Sequence, residues 1–357
     1  MVAEVAPKTD DVLLKVDNLV KYFPITKGFL KRVVGNVRAV DDVSFSVSQG
    51  ETLALVGESG CGKTTTARCI LRAIDPTSGE IWFHTEDGEK IDIAKLAQGQ
   101  LRELRRDMQM VFQDPFASLN PRMSLFDIVG EPLLVNGINS AAERTDRVAE
   151  LMRMVGLRPE YMRRFPHAFS GGERQRIGIA RALALSPRLV VADEPVSALD
   201  VSVQAQVINL LEDLQEKLNL TYLFVAHDLS VVRHLADRVA VMYVGQIVEM
   251  GETEQLFNNP KHPYTSALLA SVPIPDPRAR TERMVLQGEV ANPADPPSGC
   301  YFHPRCPHAI DRCVTEAPLL EELEDGRLVR CHRAKEIELP GLSSVAGDKV
   351  DEPSPAS

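Results

Sequence analysis

Apolar and polar positions alternate over Leu13-Leu14-Lys15-Val16-Asp17-Asn18-Leu19 and again from Arg38 to Val47. That period predicts two half-buried strands. Between them lies Lys27 to Arg32, a basic turn, and before them residues 1–11 form a loose lead-in. Gln49-Gly50 turns the chain into an apolar run, Thr52-Leu53-Ala54-Leu55-Val56, which predicts a buried strand. Asp75-Pro76-Thr77-Ser78-Gly79 carries turn chemistry and precedes a short strand, Glu80 to Phe83. Residues 92–107 are charged and helix-like, and Asp107 to Gln113 returns as a strand. Asp114 to Pro121 breaks regular structure, and residues 124–185 read mostly as helices. Arg188 to Asp193, Tyr222 to Ala226 and Val239 to Val244 predict three more strands. Residues 202–219 place Val203, Val207, Leu210, Leu211 and Leu214 at helical spacing. Strands alternating with helices predict an α/β fold with a largely parallel sheet covered on both faces.

This pattern divides the chain. Residues 1–257 form the α/β unit, with a helical subdomain inserted over about 116–186. From Asn258 the composition shifts to proline, with Pro260, Pro263, Pro273, Pro275, Pro277, Pro293, Pro296 and Pro297, so a C-terminal extension is expected over 258–340. Residues 341–357, rich in Gly, Ser, Pro and acids, are expected to be disordered.

Composition narrows the class. The chain of 357 residues is 44% apolar and only 5% aromatic. Its net charge of -10 argues against a mainly electrostatic nucleic-acid binder, and no nucleic-acid partner is expected. No run approaches the ~18 apolar residues of a membrane span, and the N-terminus lacks a signal pattern. The expected location is the cytosol, with any membrane connection made through partners. Cys300, Cys306, Cys313 and Cys331 crowd the C-terminal region, away from Cys61 and Cys69. In a reducing compartment such crowding suggests metal before disulfides.

The chemistry begins at Gly57-Glu58-Ser59-Gly60-Cys61-Gly62-Lys63-Thr64, which lies between an apolar strand and a helix opening at Thr65. It fits G-x-x-x-x-G-K-S/T, the phosphate-binding loop. Its glycines let successive N–H groups face phosphate oxygens, and the helix adds its positive end. Lys63 is expected on the β- and γ-phosphates and the Thr64 hydroxyl on Mg²⁺. The strand Arg188 to Ala192 ends in Asp193-Glu194. Beside a phosphate loop, Asp193 is placed to hold Mg²⁺ through water and Glu194 to act as general base. Ser170 can cap a helix that Gly171-Gly172 opens, which makes a second anion-binding helix N-terminus just ahead of that strand.

These stretches together resemble the ATP-binding subunit of an ABC transporter over about residues 12–255. The resemblance implies a RecA-like core with an antiparallel β-subdomain and an inserted α-helical subdomain. Gly57 to Thr64 matches Walker A, Leu189 to Asp193 Walker B, and Glu194 the catalytic glutamate. Gln113 matches the Q-loop glutamine, implying contact with Mg²⁺. Ser197-Ala198-Leu199-Asp200 matches the D-loop and His227 the switch histidine. Phe23 matches the aromatic that stacks on adenine, with Tyr22 a close rival. The signature motif departs in one place, since its usual glutamine is Glu173. The family implies two such chains sandwiching two ATP molecules, with Ser170, Gly171 and Gly172 serving the partner's nucleotide.

Gln113 to Met123, His262 to Leu269 and Val272-Pro273-Ile274-Pro275 resemble the dipeptide/oligopeptide branch of importer ATPases. The resemblance implies a docking place for a transmembrane subunit's coupling helix on Phe116, Leu119 and Met123. It also implies two membrane permease subunits, an extracytoplasmic binding protein, a second, related ATPase chain, and a peripheral place on the cytoplasmic face of the membrane. The branch handles nickel and some oligosaccharides as well, so those cargoes stay open. A soluble ABC ATPase or an exporter ATPase are the other classes. Long coiled-coil heptads and a second phosphate loop are absent, which speaks against the first, and the peptide-importer loop speaks against the second. The stretch Gly299 to Pro307 resembles the part of peptide-importer ATPases where cysteines hold a 4Fe–4S cluster in some members. That cluster on Cys300, Cys306, Cys313 and Cys331 is the expected cofactor besides ATP and Mg²⁺, with zinc or free thiols as alternatives.

Overall fold

The computed structural model describes residues 12–29, 31–272 and 288–342. The lead-in before Val12, Pro273-Ile274-Pro275 and most of the expected tail lie outside the described residues. Two sheets carry the fold. Strands β1 (Val12–Lys27), β2 (Arg32–Ser48), β4 (Ser78–His84) and β5 (Lys90–Asp92) form an antiparallel sheet in the order β2-β1-β4-β5. Strands β3 (Thr52–Val56), β6 (Met108–Val111), β7 (Leu189–Asp193), β8 (Thr221–Ala226) and β9 (Arg238–Tyr243) form the parallel part of the second, in the order β9-β3-β8-β7-β6. The sheet then continues antiparallel through β10 (Gln246–Glu252), β12 (Leu328–Val329) and β11 (Glu321–Glu322). The sheet is therefore more mixed than the alternation of strands and helices predicts. Its added edge comes from the far C-terminal segment, whose two-residue strands are too short to leave a periodic signal.

Strand β3 explains why the sheet has two covers. Ala54 and Val56 pack into one core with Val129, Leu211 and Phe224, while Leu53 and Leu55 pack into another with Val16, Val43 and Leu223. Alternate side chains point to opposite faces, so a continuous apolar run is a strand buried on both. The helices α1 (Lys63–Ile70), α2 (Gln98–Leu104) and α6 (Val201–Leu218) cover the sheet, and α3 (Leu125–Val135), α4 (Ala141–Met154) and α5 (Gly171–Ala182) stand together between β6 and β7. Residues 92–107 hold less helix than predicted, only a 3-10 turn and α2.

Helix α7 (Leu229–Leu235) joins β8 to β9, and α8 (Thr253–Asn258), α9 (Pro263–Ala270) and α10 (Asp311–Thr315) follow β10. This C-terminal segment shares the core. Phe302 is fully buried, with its ring centroid 5.3 Å from Tyr243 on β9 and 5.4 Å from Tyr264 on α9. No helix among the described residues is long and apolar enough to cross a membrane.

The four C-terminal cysteines correct an expectation. Among the described residues no group of three or more His, Cys, Asp or Glu side chains is placed to hold a metal ion. Cys300, Cys306, Cys313 and Cys331 are free thiols around a cavity of about 10 Å³. That is the lower limit of what one water needs, roughly 10–15 Å³. Burial pushes the thiols of Cys300, Cys306 and Cys331 up to about 11, which favours the neutral form over the thiolate that metals bind. Neither the 4Fe–4S cluster nor zinc fits these side chains.

Candidate active site

The chain leaves β3 and curls over Gly57-Glu58-Ser59-Gly60-Cys61-Gly62 before entering α1 at Lys63. Gly62 is the N-cap of α1 and has φ 111°. A Cβ there would meet the Ala39 carbonyl oxygen on β2 at 2.1 Å, so only glycine fits. Lys63 is buried, and its ammonium donates to the carbonyls of Gly57 at 2.7 Å and Glu58 at 3.0 Å. The Thr64 hydroxyl donates to Asp193 Oδ1 at 2.8 Å, which joins the start of α1 to the end of β7. Asp193 is buried, and burial pushes its carboxyl above the usual range, opposed by the Thr64 hydrogen bond and the Arg68 charge. Oxygen donors such as these suit a hard cation that keeps part of its water.

Glu194 follows with φ 47°, a left-handed backbone rare outside glycine. Its N–H bonds the Val225 carbonyl on β8, and the Ser197 hydroxyl donates to the Glu194 carbonyl at 3.1 Å. One carboxylate oxygen, Oε2, takes the Gln113 amide N–H at 2.9 Å and lies 3.1 Å from His227 Nδ1. Gln113 comes from the end of β6 and His227 from the end of β8, so three strand ends converge on one carboxylate. Their shared cleft measures about 400 Å³ and is lined by Val37, Ala39, Ser59, Gly60, Gly62, Lys63, Thr64, Thr65, Gln113, Glu194, His227 and Pro293. Such a cleft can bind a polyphosphate and hold a base beside it.

Other predicted residues stand elsewhere. Ser170, Gly171 and Gly172 do not line this cleft. They open α5, where Ser170 and Glu173 close a capping box: the Glu173 carboxylate accepts from the Ser170 N–H at 2.9 Å and its hydroxyl at 2.7 Å. Asp200 is the exposed N-cap residue of α6. Phe23 is exposed on β1 and does not itself line the cleft, though its partner in the β1–β2 ladder, Val37, does; the Lys21 ammonium lies 4.9 Å from its ring centroid. Tyr22 instead bonds the Asp41 carboxylate, and burial together with that bond pushes its phenol up to about 12. A groove of about 1000 Å³ adjoins the cleft, and Gln113 lines both. Phe116 is 57% exposed near it, with the Arg174 guanidinium over its ring, while Leu119 is buried in the core and cannot meet a partner as expected.

Sequence reasoning missed Pro293, Tyr264 and Arg305. The Tyr264 hydroxyl accepts from the Glu58 N–H at 2.9 Å, and Arg305 grips the Glu58 carboxylate at 2.8 and 3.1 Å. Arg305 lies 247 positions from Glu58, so no local spacing could reveal the pair.

Comparisons with known proteins agree with this geometry. Residues 40–197 match a family model described as ABC transporter, and residues 248–313 match one described as oligopeptide/dipeptide transporter, C-terminal region. The chain is 53% identical to the oligopeptide transport ATP-binding protein AppF of Bacillus subtilis, over 90% of this chain and 97% of that one. It is 48% identical to the di/tripeptide transport ATP-binding protein DppF of Pseudomonas aeruginosa, over 92% and 99%. Among solved structures, a dimeric post-hydrolysis state of the ATP-binding cassette MJ0796 bound to ADP and Pi is similar at TM-score 0.59 and 29% identity, over 68% of this chain and 99% of that one.

Proposed function

Because the chain belongs to the ATP-binding subunits of ABC transporters, in the group with the oligopeptide/dipeptide C-terminal region, we propose that it powers import of dipeptides or oligopeptides by hydrolysing ATP in the cleft between Lys63 and Glu194. The observation that carries this reading is the Glu194 carboxylate, held by Gln113 and His227 in the same cleft as the phosphate loop.

Each residue then has a task. The loop N–H groups and Lys63 bind and orient the β- and γ-phosphates. Glu194 takes a proton from the attacking water, and its left-handed backbone turns the side chain off the strand into the cleft. His227 and Gln113 orient that carboxylate. Mg²⁺, when bound by Thr64, Asp193 and Gln113, would offset the negative charge that builds on the phosphates.

Ser170, Gly171, Gly172 and Asp200, absent from the lining of the chain's own cleft, serve the nucleotide of a second ATPase chain. This accords with the dimeric state named for the similar cassette. That second chain is related but different. Two membrane permease subunits and an extracytoplasmic binding protein complete the machine. One permease helix docks in the groove beside Gln113 and Phe116, and the ATPase sits peripherally on the cytoplasmic face. Residues 1–257 form the nucleotide-binding domain and 258–340 an extension built onto it. Phe23 stacks on adenine.

The transporter co-expressed with its permease and second ATPase, reconstituted in vesicles, tests this. Labelled tripeptide should accumulate with ATP and the binding protein, and stop with Glu194→Gln in this chain. Uptake by the Glu194→Gln transporter at the wild-type rate, or no dipeptide, tripeptide or longer peptide moved by the wild type, would contradict the reading.

A further inference from the structure

Glu58 is an awkward residue where it stands. The phosphate loop must receive a polyanion, yet Glu58 puts a carboxylate in the loop itself. Like charges at close range cost about 1 kcal/mol in water at ~4 Å and more where the site is partly dry. The compensating cation comes from the far end of the chain. Both guanidinium N–H groups of Arg305 donate to the two Glu58 oxygens at 2.8 and 3.1 Å, and the Arg305 side chain is only 6% exposed. This two-bonded geometry fixes direction as well as charge. The guanidinium also lies within 6.0 Å of the Tyr243 and Phe302 ring centroids, and the Glu58 carboxylate is the main cause that holds it firmly protonated.

The contact is not isolated. The Glu58 N–H donates to the Tyr264 hydroxyl at 2.9 Å, so the same loop residue is held by backbone and side chain from two places in the C-terminal segment. The C-terminal segment also reaches β2: the Pro293 carbonyl accepts from the Arg38 N–H at 2.9 Å, and Pro293 lines the cleft together with Val37 and Ala39. The Tyr301 hydroxyl accepts from Arg38 at 3.0 Å and donates to Asp41 at 2.8 Å, tying the C-terminal segment to β2.

We propose that the C-terminal segment is a working part of the nucleotide site: Arg305 is a positioning residue that fixes the phosphate loop and neutralises Glu58 as the triphosphate enters, while Pro293 contributes to the lining of the cleft. The proposal rests on the reading of this cleft as the nucleotide site. A merely structural clamp and a charge-neutralising one differ in what the double variant does. Removing Arg305 alone leaves an unpaired carboxylate on the phosphate loop, next to the cleft-lining Ser59. Removing both groups leaves neither the repulsion nor the clamp.

The test is equilibrium titration of the full chain with a fluorescent ATP analogue and Mg²⁺, at low and high salt. Arg305→Gln should weaken binding about tenfold, and Arg305→Lys, which keeps the charge without the fork, about threefold. Glu58→Gln with Arg305→Gln should return to within about threefold of wild type, and the Arg305→Gln defect should shrink at high salt. The defect should also be smaller for the AMP analogue, whose phosphate carries less charge. Thermal unfolding without nucleotide tracks any loss of fold. Arg305→Gln within about twofold of wild type, or a double variant no better than Arg305→Gln, would overturn the proposal. Lys63→Ala keeps the two readings apart. Its loss of binding upholds the cleft as the nucleotide site whatever Arg305 does, and its retention of wild-type binding defeats the cleft reading itself.

Discussion

Glu173 stands where the resembled signature motif has glutamine, and its carboxylate is turned back onto the N–H and hydroxyl of Ser170. The box stabilises the start of α5, and a carboxylate suits the positive end of a helix. It also puts a negative charge beside the groups proposed to meet a second chain's triphosphate. Glutamine can close the same box without that charge. In the assembled transporter Glu173→Gln should therefore lower the ATP concentration that half-saturates hydrolysis about fivefold, equivalent to about 1 kcal/mol, and the gain should fade at high salt. An unchanged or raised half-saturating concentration would refute this electrostatic role. The same helix start shows why residue identity alone is incomplete. The motif reveals Ser170 and its two glycines, but only the fold shows Glu173 occupying the serine hydroxyl.

The junction of β10 and α9 stores two opposed titrations. Glu249 is fully buried and accepts from the N–H groups of Lys261 at 2.7 Å and His262 at 2.9 Å, with Arg327 at 4.0 Å. Burial pushes its carboxyl up to about 7 despite those bonds and the Arg327 charge. His262 is buried too, and burial pushes it down to about 3, while its Nδ1 accepts the Tyr264 N–H at 3.1 Å. The raised carboxyl gives stability that is present below about pH 4.5 and lost as pH rises to about 7. The depressed imidazole gives stability that is present above about pH 6.5 and lost as pH falls to about 3. Between about 4.5 and 6.5 the two slopes oppose each other. Glu249→Gln should make stability against urea climb with pH in that window, by up to ~1.4 kcal/mol per pH unit. His262→Gln should make it fall. Variant profiles parallel to the wild type would contradict both assignments. These elements also mark a limit of pattern reading. The buried runs at β3, β7 and β8 are plain from their apolar letters, but β11 and β12 have two residues each and exist only because β10 offers an edge.

On the scale of the whole molecule, what was legible was contiguous. The phosphate loop, the strand ending in Asp193-Glu194 and the helix start at Ser170 each carry their chemistry in one short string, and the fold brings Lys63, Thr64, Gln113, Glu194 and His227 into one cleft. What was illegible was distant or geometric. Arg305 reaches Glu58 across 247 positions, and four crowded cysteines revealed no geometry for a metal. A cysteine count sets how many ligands exist, while burial and direction decide whether they can act together. The central claim is that Glu194 drives hydrolysis at this chain's own phosphate loop. It is tested most directly by measuring ATP binding and phosphate release together in the assembled transporter carrying Glu194→Gln in this chain, with the corresponding base of the second ATPase also replaced so that no other site turns over. The account predicts ATP bound as tightly as in the wild type and phosphate release reduced at least about a hundredfold. Phosphate release at the wild-type rate with ATP bound would contradict it.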